Sequence, residues 1–481
     1  MSSAVETFRE DPPPEAPPPR PAGAVGWHGP ALATLVAAVT MCSRLWEGDI
    51  FRDEVLYAAV AKGILVRGDW LNLWVGTSHY WNKPPLMFWL TALAYEALGV
   101  SVFSAKLASA LAGVGCCVLV HRLALRLFAD ERLALVAAFV LATTPRFVRN
   151  SATFRLDSGV TLFTLAALLC YVRAATDGRT RDWVLAGLAW GLGVMAKGVF
   201  GLTGPFVFLI WLAVERRVAL VRSRGFALSC AVGTAVALPW HLYQYAVWGA
   251  PFYRVYFSQQ VVDRMTGRLW DGPAASYLVI MLQDDWPWLA LLAIGVVVAA
   301  REAFRGDRRR LFVLAWAFGY LLLLYASQGR RARYLHQFYP PAAILTALAL
   351  ARILPAAWWD ATPRLVLRFA ATLGIVLALL PVPIHSATSR DLQALRPVLD
   401  AVSPGSHAPL IGFRNPSPNF RAGCLFYLDR DVHLKRTVAA IPRRPDTLVI
   451  AKPWSLPRLE GEGFVRIYAN KSHALLRPPP P

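Results

Sequence analysis

The sequence predicts an all-α polytopic membrane protein with a small α/β domain at its C-terminus. Of the 481 residues, 56% are hydrophobic and 17% are charged, and the mean hydropathy is +0.42. The apolar residues form runs of roughly 17–25 positions, the length that a helix needs to cross a hydrocarbon core about 30 Å thick. After about residue 385 the pattern changes to short β-like runs separated by polar turns.

The membrane domain is predicted over residues 29–385, with about 11–13 transmembrane helices. Residues 1–28 are rich in proline and carry both charge signs, which predicts a disordered cytoplasmic tail. Residues 85–99 are a short apolar stretch that contains Glu96, so we predict an interfacial or re-entrant helix within a first outer loop over residues 48–100. The apolar segments lie at about 30–47, 102–120, 133–149, 158–174, 183–197, 198–214, 226–246, 284–300, 311–327, 335–353 and 365–384.

Clusters of arginine predict the orientation of these segments. Each cluster follows an even-numbered segment, within residues 122–132, 173–181, 216–224 and 301–310. Loops rich in Lys and Arg stay in the cytoplasm, so all four are cytoplasmic together if the N-terminus is cytoplasmic. The prediction is a multi-pass protein of the cytoplasmic (inner) membrane, with the first outer loop, residues 247–283 and the C-terminus on the periplasmic side. The same rule explains most of the net charge of +20 without nucleic acid as a partner.

The C-terminal residues 386–481 are predicted to form an extracytoplasmic α/β domain. SRDLQALRPVLDAV has the pattern of an amphipathic helix. Five short apolar runs are predicted as strands: PLIGF, CLFYL, DTLVIA, GFVRIYA and HALLRP.

Basic residues on the predicted outer face point to an anionic ligand. Arginine offers phosphate oxygens two donors in a fixed geometry, and lysine offers a point charge. Contact with lipid headgroups or ion pairing is the alternative explanation. The residues concerned are Lys83, Arg264, Arg268, Arg330, Arg331 and Arg333, together with Arg146, Arg149 and Arg155 near Asp157.

Two acidic positions are the candidates for catalysis. Asp53 and Glu54 lie next to a bilayer surface, where unpaired carboxylates are disfavoured and often functional. Because neighbours on a helix diverge by about 100°, we expect one to face a cavity and the other to cap the helix or pair with Arg52 or Lys62. Placement of both at a helix N-terminus is the alternative. Asp157 is the second position, with an N-cap or a salt bridge to Arg155 as its alternative.

Several motifs follow one another in a definite order. They are R-D-E-x-x-Y-A, G-D-W and K-P-P in the first loop, then R-L-D-S (155–158), G-L-G-V-M-A-K-G (191–198), L-P-W (238–240), W-P-W (286–288) and R-Y-L-H-Q-F-Y-P-P (333–341). In this order they resemble the GT-C glycosyltransferases, in particular the bacterial aminoarabinose lipid A transferase and protein O-mannosyltransferase group. The resemblance covers about residues 30–350.

The resemblance implies an inverting glycosyltransferase that moves one sugar from a polyprenyl-phosphate carrier to a lipid, glycan or protein acceptor at the outer membrane face. Asp53 matches the family's general base, and Asp157 matches a second acidic position that shapes the pocket. Lys83 matches the lysine that holds the lipid phosphate. Glu54, Tyr57, Arg264 and Tyr334 fall at or near substrate-binding positions, together with the arginines 330, 331 and 333.

No cofactor is required by this reaction, because the lipid phosphate is already an activated leaving group. In the aminoarabinose transferase, a Glu before K-P and a His in the middle loop form a metal site. Here Asn82 and Gln260 stand in those places, and the histidines 79, 241 and 336 have no partner at ligand spacing, so no metal ligands are predicted although a divalent metal is left open. A transporter or flippase of an anionic lipid is the alternative function, and it would require inverted repeats and ionisable residues near the bilayer midplane.

Overall fold

The computed structural model describes residues 28–43, 45–46, 50, 53–268, 276–379, 391–406, 408–414 and 418–479. Of the predicted N-terminal tail, all but His28 lies outside the described residues. Arg52, which was considered as a partner of the acidic pair, lies outside them too.

The membrane domain is a bundle of α-helices joined by short turns. Seven helical stretches within the described residues are long and apolar enough to cross a membrane, and three shorter apolar helices accompany them. The protein is therefore a multi-pass membrane protein, as predicted. The helices are α1 (His28–Cys42), α2 (Asp53–Arg67), α3 (Leu86–Leu98), α4 (Val102–Phe128), α5 (Glu131–Thr143), α6 (Pro145–Ser151), α7 (Leu156–Asp177), α8 (Thr180–Lys197), α9 (Thr203–Val214), α10 (Arg224–Tyr253), α11 (Tyr277–Asp284), α12 (Trp286–Phe304), α13 (Arg308–Ala326), α14 (Tyr339–Ile353), α15 (Ala356–Asp360) and α16 (Thr362–Leu379).

The helices α7 and α8 form a tight antiparallel hairpin. Gly178 ends α7 in the left-handed conformation, with φ of 71°, and α8 begins two residues later. Gly198 ends α8 with φ of 65°, and a 3₁₀ turn, Gly198–Leu202, separates it from α9. The predicted boundary between segments 183–197 and 198–214 therefore falls where the structure breaks the helix. The hairpin places the first turn of α7 beside the last turn of α8.

Residues 85–99 contain one short helix, α3, of 13 residues, and its interfacial or re-entrant position stays a prediction. At 1.5 Å per residue this helix is about 20 Å long, which is short of the roughly 30 Å of a hydrocarbon core. It packs against α2 and α4.

The predicted outer loop 247–283 is largely helical, which corrects the sequence-based expectation. α10 bends at Gly249, where φ is 54°, and continues into a π-helix, Arg254–Asp263. Three side chains of α10 hold the first loop: Trp240 Nε1 and Gln244 Nε2 donate to the Leu71 carbonyl at 2.9 and 2.8 Å, and Trp248 Nε1 donates to Asn72 Oδ1 at 2.9 Å. This loop contains a small hairpin of β1 (Trp74–Val75) and β2 (Ser78–His79).

The C-terminal residues form a five-stranded mixed sheet with the order β4-β3-β5-β7-β6. β3 is parallel to β4 and β5, whereas β7 is antiparallel to β5 and β6. The elements are α17 (Arg396–Val402), β3 (Leu410–Phe413), α18 (Pro418–Gly423), β4 (Val432–Lys435), β5 (Val449–Ala451), α19 (Leu456–Gly461), β6 (Val465–Ala469) and β7 (Ala474–Arg477).

One of the five predicted strands is wrong. CLFYL forms a π-helical turn, Cys424–Leu428, whose apolar side chains are buried. The strand that the prediction missed, β4, lies at the edge of the sheet and contains His433 and Lys435. A run of five apolar residues suits a buried helix and a buried strand equally well, whereas an edge strand needs little apolar sequence.

The C-terminal domain docks on α2, the helix that begins with Asp53. Lys62 is 9% exposed, and its Nζ donates to the carbonyls of Leu425 and Phe426, both at 3.0 Å, while it also forms an ion pair with Asp429. Arg421 donates to Thr77 Oγ1 and Ser78 Oγ of the β1–β2 hairpin at 3.0 and 3.1 Å. The domain therefore fixes both α2 and the hairpin that follows it.

Replacing Lys62 with methionine should weaken this docking. The change leaves two carbonyls and part of the Asp429 carboxylate without their donor, which costs about 1–3 kcal/mol. We expect a lower thermal unfolding midpoint and faster proteolysis of the C-terminal domain in the detergent-solubilised protein. Lys471→Met, at an exposed site of the same domain, is the matched control. Equal midpoints for the two variants would contradict the docking role of Lys62.

Candidate active site

Asp53 lies at the N-terminus of α2 and is held by arginine. Arg333 Nη1 donates to Asp53 Oδ2, and Arg155 Nη1 lies 4.0 Å from the same oxygen. The other oxygen, Oδ1, accepts no hydrogen bond within the described residues, and the side chain is 33% exposed. One carboxylate oxygen is therefore anchored while the other can accept a proton.

Burial alone would raise the pKa of Asp53. The positive charge and hydrogen bond of Arg333, with smaller contributions from Arg155 and Arg331, outweigh it and hold the pKa below its usual range. Asp53 is therefore ionised at neutral pH, as a general base must be.

Glu54 points elsewhere, as expected for a neighbour on a helix. It is 2% exposed, and its Oε1 accepts a hydrogen bond from Arg155 Nη2 at 2.9 Å. A buried carboxylate that pairs with arginine would repel a phosphate, and the role of Glu54 as a substrate contact stays a prediction. Glu54 instead orients Arg155 towards Asp53.

The hairpin of α7 and α8 brings together a second acid and a lysine. Asp157 lies in the first turn of α7 and forms an ion pair with Lys197, the last residue of α8. The prediction considered Arg155 as the partner of Asp157, which the structure corrects. An acid at a helix N-terminus and a cation at a helix C-terminus are each favoured by the helix dipole. The Lys197 ammonium also lies 5.2 Å from the centre of the Tyr334 ring.

Lys83 and Arg264 complete the cationic side of the site. Lys83 Nζ donates to Gln260 Oε1 at 3.1 Å, and Arg264 Nη1 donates to the Tyr334 hydroxyl at 3.4 Å. Gly329 lets the turn before Tyr334 approach the π-helical segment closely, because a Cβ atom there would collide with the Arg264 carbonyl.

The site contains more positive than negative charge. Burial, together with the nearby charges of Arg264, Lys197 and Arg333, lowers the pKa of Lys83 well below its usual value. Buried Nε atoms of Arg155 and Arg264 have no acceptor among the described residues. Crowded cations with unused donors are the arrangement that binds a phosphate.

Two tyrosines line the same site. Tyr57 is buried, with its ring edge-on to Phe88 at 5.7 Å and to Phe154 at 5.8 Å. Burial raises the pKa of Tyr57 to about 12, so its hydroxyl stays a hydrogen-bond donor at neutral pH. For Tyr334, burial is outweighed by Arg333, Lys197 and Arg264, and the pKa is lowered.

Most of the predicted site residues therefore meet in the structure, with two exceptions. Arg330 lies apart from the others, 5.3 Å from the centre of the Tyr325 ring, and its buried Nε has no acceptor among the described residues. Glu54 is the other exception. Prediction overlooked Lys197 and the role of Arg155, although Lys197 ends an apolar segment on the predicted outer side and breaks the loop-charge rule in the same way as Lys83.

The residues at the predicted metal positions do not fit a zinc ion. Zinc in proteins takes thiolate, imidazole or carboxylate ligands. Here the amides Asn82 and Gln260 stand instead, and Gln260 accepts a hydrogen bond from the Lys83 ammonium. Within the described ranges, no group of three or more His, Cys, Asp or Glu side chains could hold a metal ion.

Comparison with known proteins supports the resemblance that the motifs indicated. Residues 82–243 match the family model of dolichyl-phosphate-mannose-protein mannosyltransferases. A crystal structure of ArnT from Cupriavidus metallidurans bound to undecaprenyl phosphate superposes with a TM-score of 0.76 at 17% identity, over 93% of this chain and 97% of that one.

The chain has the GT-C fold. The predicted fold class and the resemblance to the aminoarabinose transferase and protein O-mannosyltransferase-like group are confirmed. The oligosaccharyltransferase of Archaeoglobus fulgidus, solved with Zn and sulfate, is a more distant neighbour of this GT-C chain, with a TM-score of 0.56 at 15% identity over 93% of this chain and 73% of that one.

A relative from Pectobacterium carotovorum is the undecaprenyl phosphate-alpha-4-amino-4-deoxy-L-arabinose arabinosyl transferase. It is 30% identical over 312 residues, which are 63% of the GT-C chain. The match spans 55% of the relative's own length.

Proposed function

We propose that this GT-C protein is an inverting glycosyltransferase that moves a monosaccharide from a polyprenyl-phosphate carrier to an acceptor hydroxyl. The observation that carries the proposal is the combination in one site of two features: the Asp53 carboxylate, whose Oδ1 accepts no hydrogen bond from a described residue, and a surplus of cations around Lys83. The carboxylate can take the proton of an acceptor hydroxyl, and the cations can stabilise the negative charge of the departing lipid phosphate.

The proposed reaction is a single displacement at the anomeric carbon of the sugar. Asp53 Oδ1 takes the proton of the acceptor hydroxyl as the new C–O bond forms. The bond between the anomeric carbon and the phosphate oxygen breaks on the opposite face, and the lipid phosphate leaves with the electron pair. The configuration at the anomeric carbon is thereby inverted.

The cations stabilise the charge that develops on the leaving phosphate. Arg264 and Lys197 both act electrostatically on Lys83, so the three cations surround one region in which the leaving phosphate can be stabilised. Asp157 positions Lys197 through their ion pair and does not act as a second nucleophile in this scheme. Tyr334 accepts from Arg264 and keeps its guanidinium in the site.

The proposed orientation places this site on the periplasmic side of the inner membrane. The arginine-rich turns at the other end of α4, α7 and α13 would be cytoplasmic by the loop-charge rule. A flippase is less well supported, since the charged residues of the site gather at one end of the bundle and not near its middle.

The names of the relatives suggest which donor to assay first. The protein should be reconstituted in vesicles with undecaprenyl-phosphate-linked 4-amino-4-deoxy-L-arabinose, together with lipid A, other envelope glycans or protein acceptors. We expect release of undecaprenyl phosphate and an acceptor glycosylated with inverted anomeric configuration, without added nucleotide. Movement of the intact donor between leaflets without bond cleavage would instead identify a flippase.

A panel of donors with other sugars belongs to the same assay. If undecaprenyl phosphate is released from every donor, whichever sugar it carries, and water is the acceptor, the protein is a hydrolase and the proposal is contradicted. Mass spectrometry of envelope glycolipids from a strain that lacks the gene should reveal the natural acceptor as a component missing one sugar.

A further inference from the structure

A second basic cavity lies at the opposite end of the helical bundle from Asp53. Along α7, Arg173 follows Asp157 by 16 residues, which corresponds to about 24 Å. The cavity has a volume of about 810 Å³ and is lined by Arg122, Leu125, Arg126, Ala129, Leu169, Arg173 and Asp177. It is therefore separate from the proposed active site.

The residues that line the cavity include three arginines and one carboxylate, Asp177. Arg122 and Arg126 lie one helical turn apart on α4 and face the same side. Arg126 pairs with Asp177, and Arg173 Nε lies 3.8 Å from Asp182 Oδ1. The Arg122 side chain forms no hydrogen bond or ion pair with any described residue, although it interacts electrostatically with the Glu131 carboxylate. The cavity wall therefore has three guanidinium groups and one carboxylate.

The rest of the cavity wall is apolar. Leu125, Ala129 and Leu169 lie beside the arginines, at the ends of two helices that are long enough to cross the membrane. A free phosphate ion would leave this apolar wall in contact with water. A phospholipid would cover it with glycerol and acyl carbons while its phosphate meets the guanidinium groups.

We propose that this cavity binds the phosphate of an anionic phospholipid from the leaflet at that end of the bundle. The side chains of Arg126 and Arg173 are each 36% exposed, so a headgroup can reach them from outside the protein. The lipid places its net negative charge against Arg122, which forms no ion pair among the described residues, and leaves the Arg126–Asp177 pair in place.

A purely structural role of the arginines makes a different prediction. α4 ends at this cavity with Arg126 in its last turn, where a cation stabilises the helix through its dipole. That role requires no ligand, so loss of an arginine would lower stability by the same amount with and without anionic lipid.

Thermal unfolding of the full-length protein in a neutral detergent separates these roles. Dioctanoyl phosphatidylglycerol should raise the unfolding midpoint in a saturable manner, whereas dioctanoyl phosphatidylcholine and inorganic phosphate should not. Arg122→Gln and Arg173→Gln should each weaken the apparent affinity for phosphatidylglycerol by about tenfold, the expected loss for one charged hydrogen bond.

Arg309→Gln is the matched control, because Arg309 is exposed at the same end of the bundle and does not line the cavity. Equal responses of all three variants to phosphatidylglycerol, or equal effects of the two lipids on the wild type, would overturn the proposal. Saturable stabilisation by inorganic phosphate alone would overturn it in favour of a free-phosphate site. If Arg122→Gln does not fold, Arg122→Lys should bind phosphatidylglycerol more weakly than the wild type, and unchanged affinity counts against the site.

Discussion

Replacing Asp53 with asparagine is expected to reduce the rate of sugar transfer by roughly 10²–10⁴-fold, the contribution typical of one well-placed general base. The amide has nearly the shape of the carboxylate but cannot take a proton from the acceptor. Binding of the polyprenyl-phosphate carrier should be unchanged or tighter, because the substitution removes a negative charge from a site that binds an anion. The measurement is kcat for transfer in reconstituted vesicles, together with the Kd for undecaprenyl phosphate.

Asp284→Asn is the matched control for this experiment. Asp284 forms ion pairs with Arg146 and with Arg149, so the control also removes a carboxylate from two arginines, away from Asp53. It should transfer sugar at nearly the wild-type rate. Near wild-type transfer by Asp53→Asn itself would show that another group is the base.

The pH profile gives a second readout of the same assignment. Arg333 opposes the effect of burial and holds the pKa of Asp53 low, so Arg333→Gln should raise that pKa. Because the base acts only when it is deprotonated, the acidic limb of kcat/KM should move to higher pH. Arg330→Gln is the control, because Arg330 belongs to the same turn but its guanidinium lies over the Tyr325 ring. This change should leave the acidic limb of kcat/KM in place. An unshifted limb in Arg333→Gln would mean that Asp53 is not the titrating base.

The membrane architecture could be predicted because apolar length and loop charge report directly on how each segment meets the bilayer. The break between α8 and α9 and the short helix α3 both lie where the sequence placed them. Residues 424–428 were predicted as a strand, since five apolar residues carry no period that distinguishes strand from helix. Their helical turn is fixed by contacts with α2, which lies far away in the sequence.

The site was predictable only where a residue broke a rule of composition. Lys83 was found because it is a cation on the predicted outer side, and Asp53 because it is a carboxylate at a membrane surface. The pairing of Asp157 with Lys197 depends on the antiparallel hairpin of α7 and α8, which joins positions 40 residues apart. Spacing along the sequence gives no sign of that pairing, and it suggested the nearer Arg155 instead.

Lys83→Ala is expected to weaken binding of undecaprenyl phosphate by roughly 10–100-fold, as expected for loss of one hydrogen bond between charged groups. Removal of the ammonium also relieves its repulsion with Arg264 and Lys197, which offsets part of the lost affinity. A loss of only about tenfold would therefore still agree with direct contact between Lys83 and the phosphate. Lys471→Ala, at an exposed position in the C-terminal domain, is the matched control. Unchanged affinity in Lys83→Ala would place the phosphate elsewhere in the site.

Proton linkage distinguishes direct contact of Lys83 with the phosphate from an indirect effect of the mutation. Without ligand, burial and neighbouring cations keep the pKa of Lys83 well below its usual value. A phosphate beside the ammonium must raise that pKa, so binding takes up a proton and the affinity should fall as the pH rises through the alkaline range towards the pKa of the bound state. The phosphate itself is fully ionised in this range, since its second pKa is about 6. In Lys83→Arg the guanidinium stays protonated throughout, and the affinity should lose this pH dependence. Equal pH dependence in the wild type and Lys83→Arg would show that a different group takes up the proton.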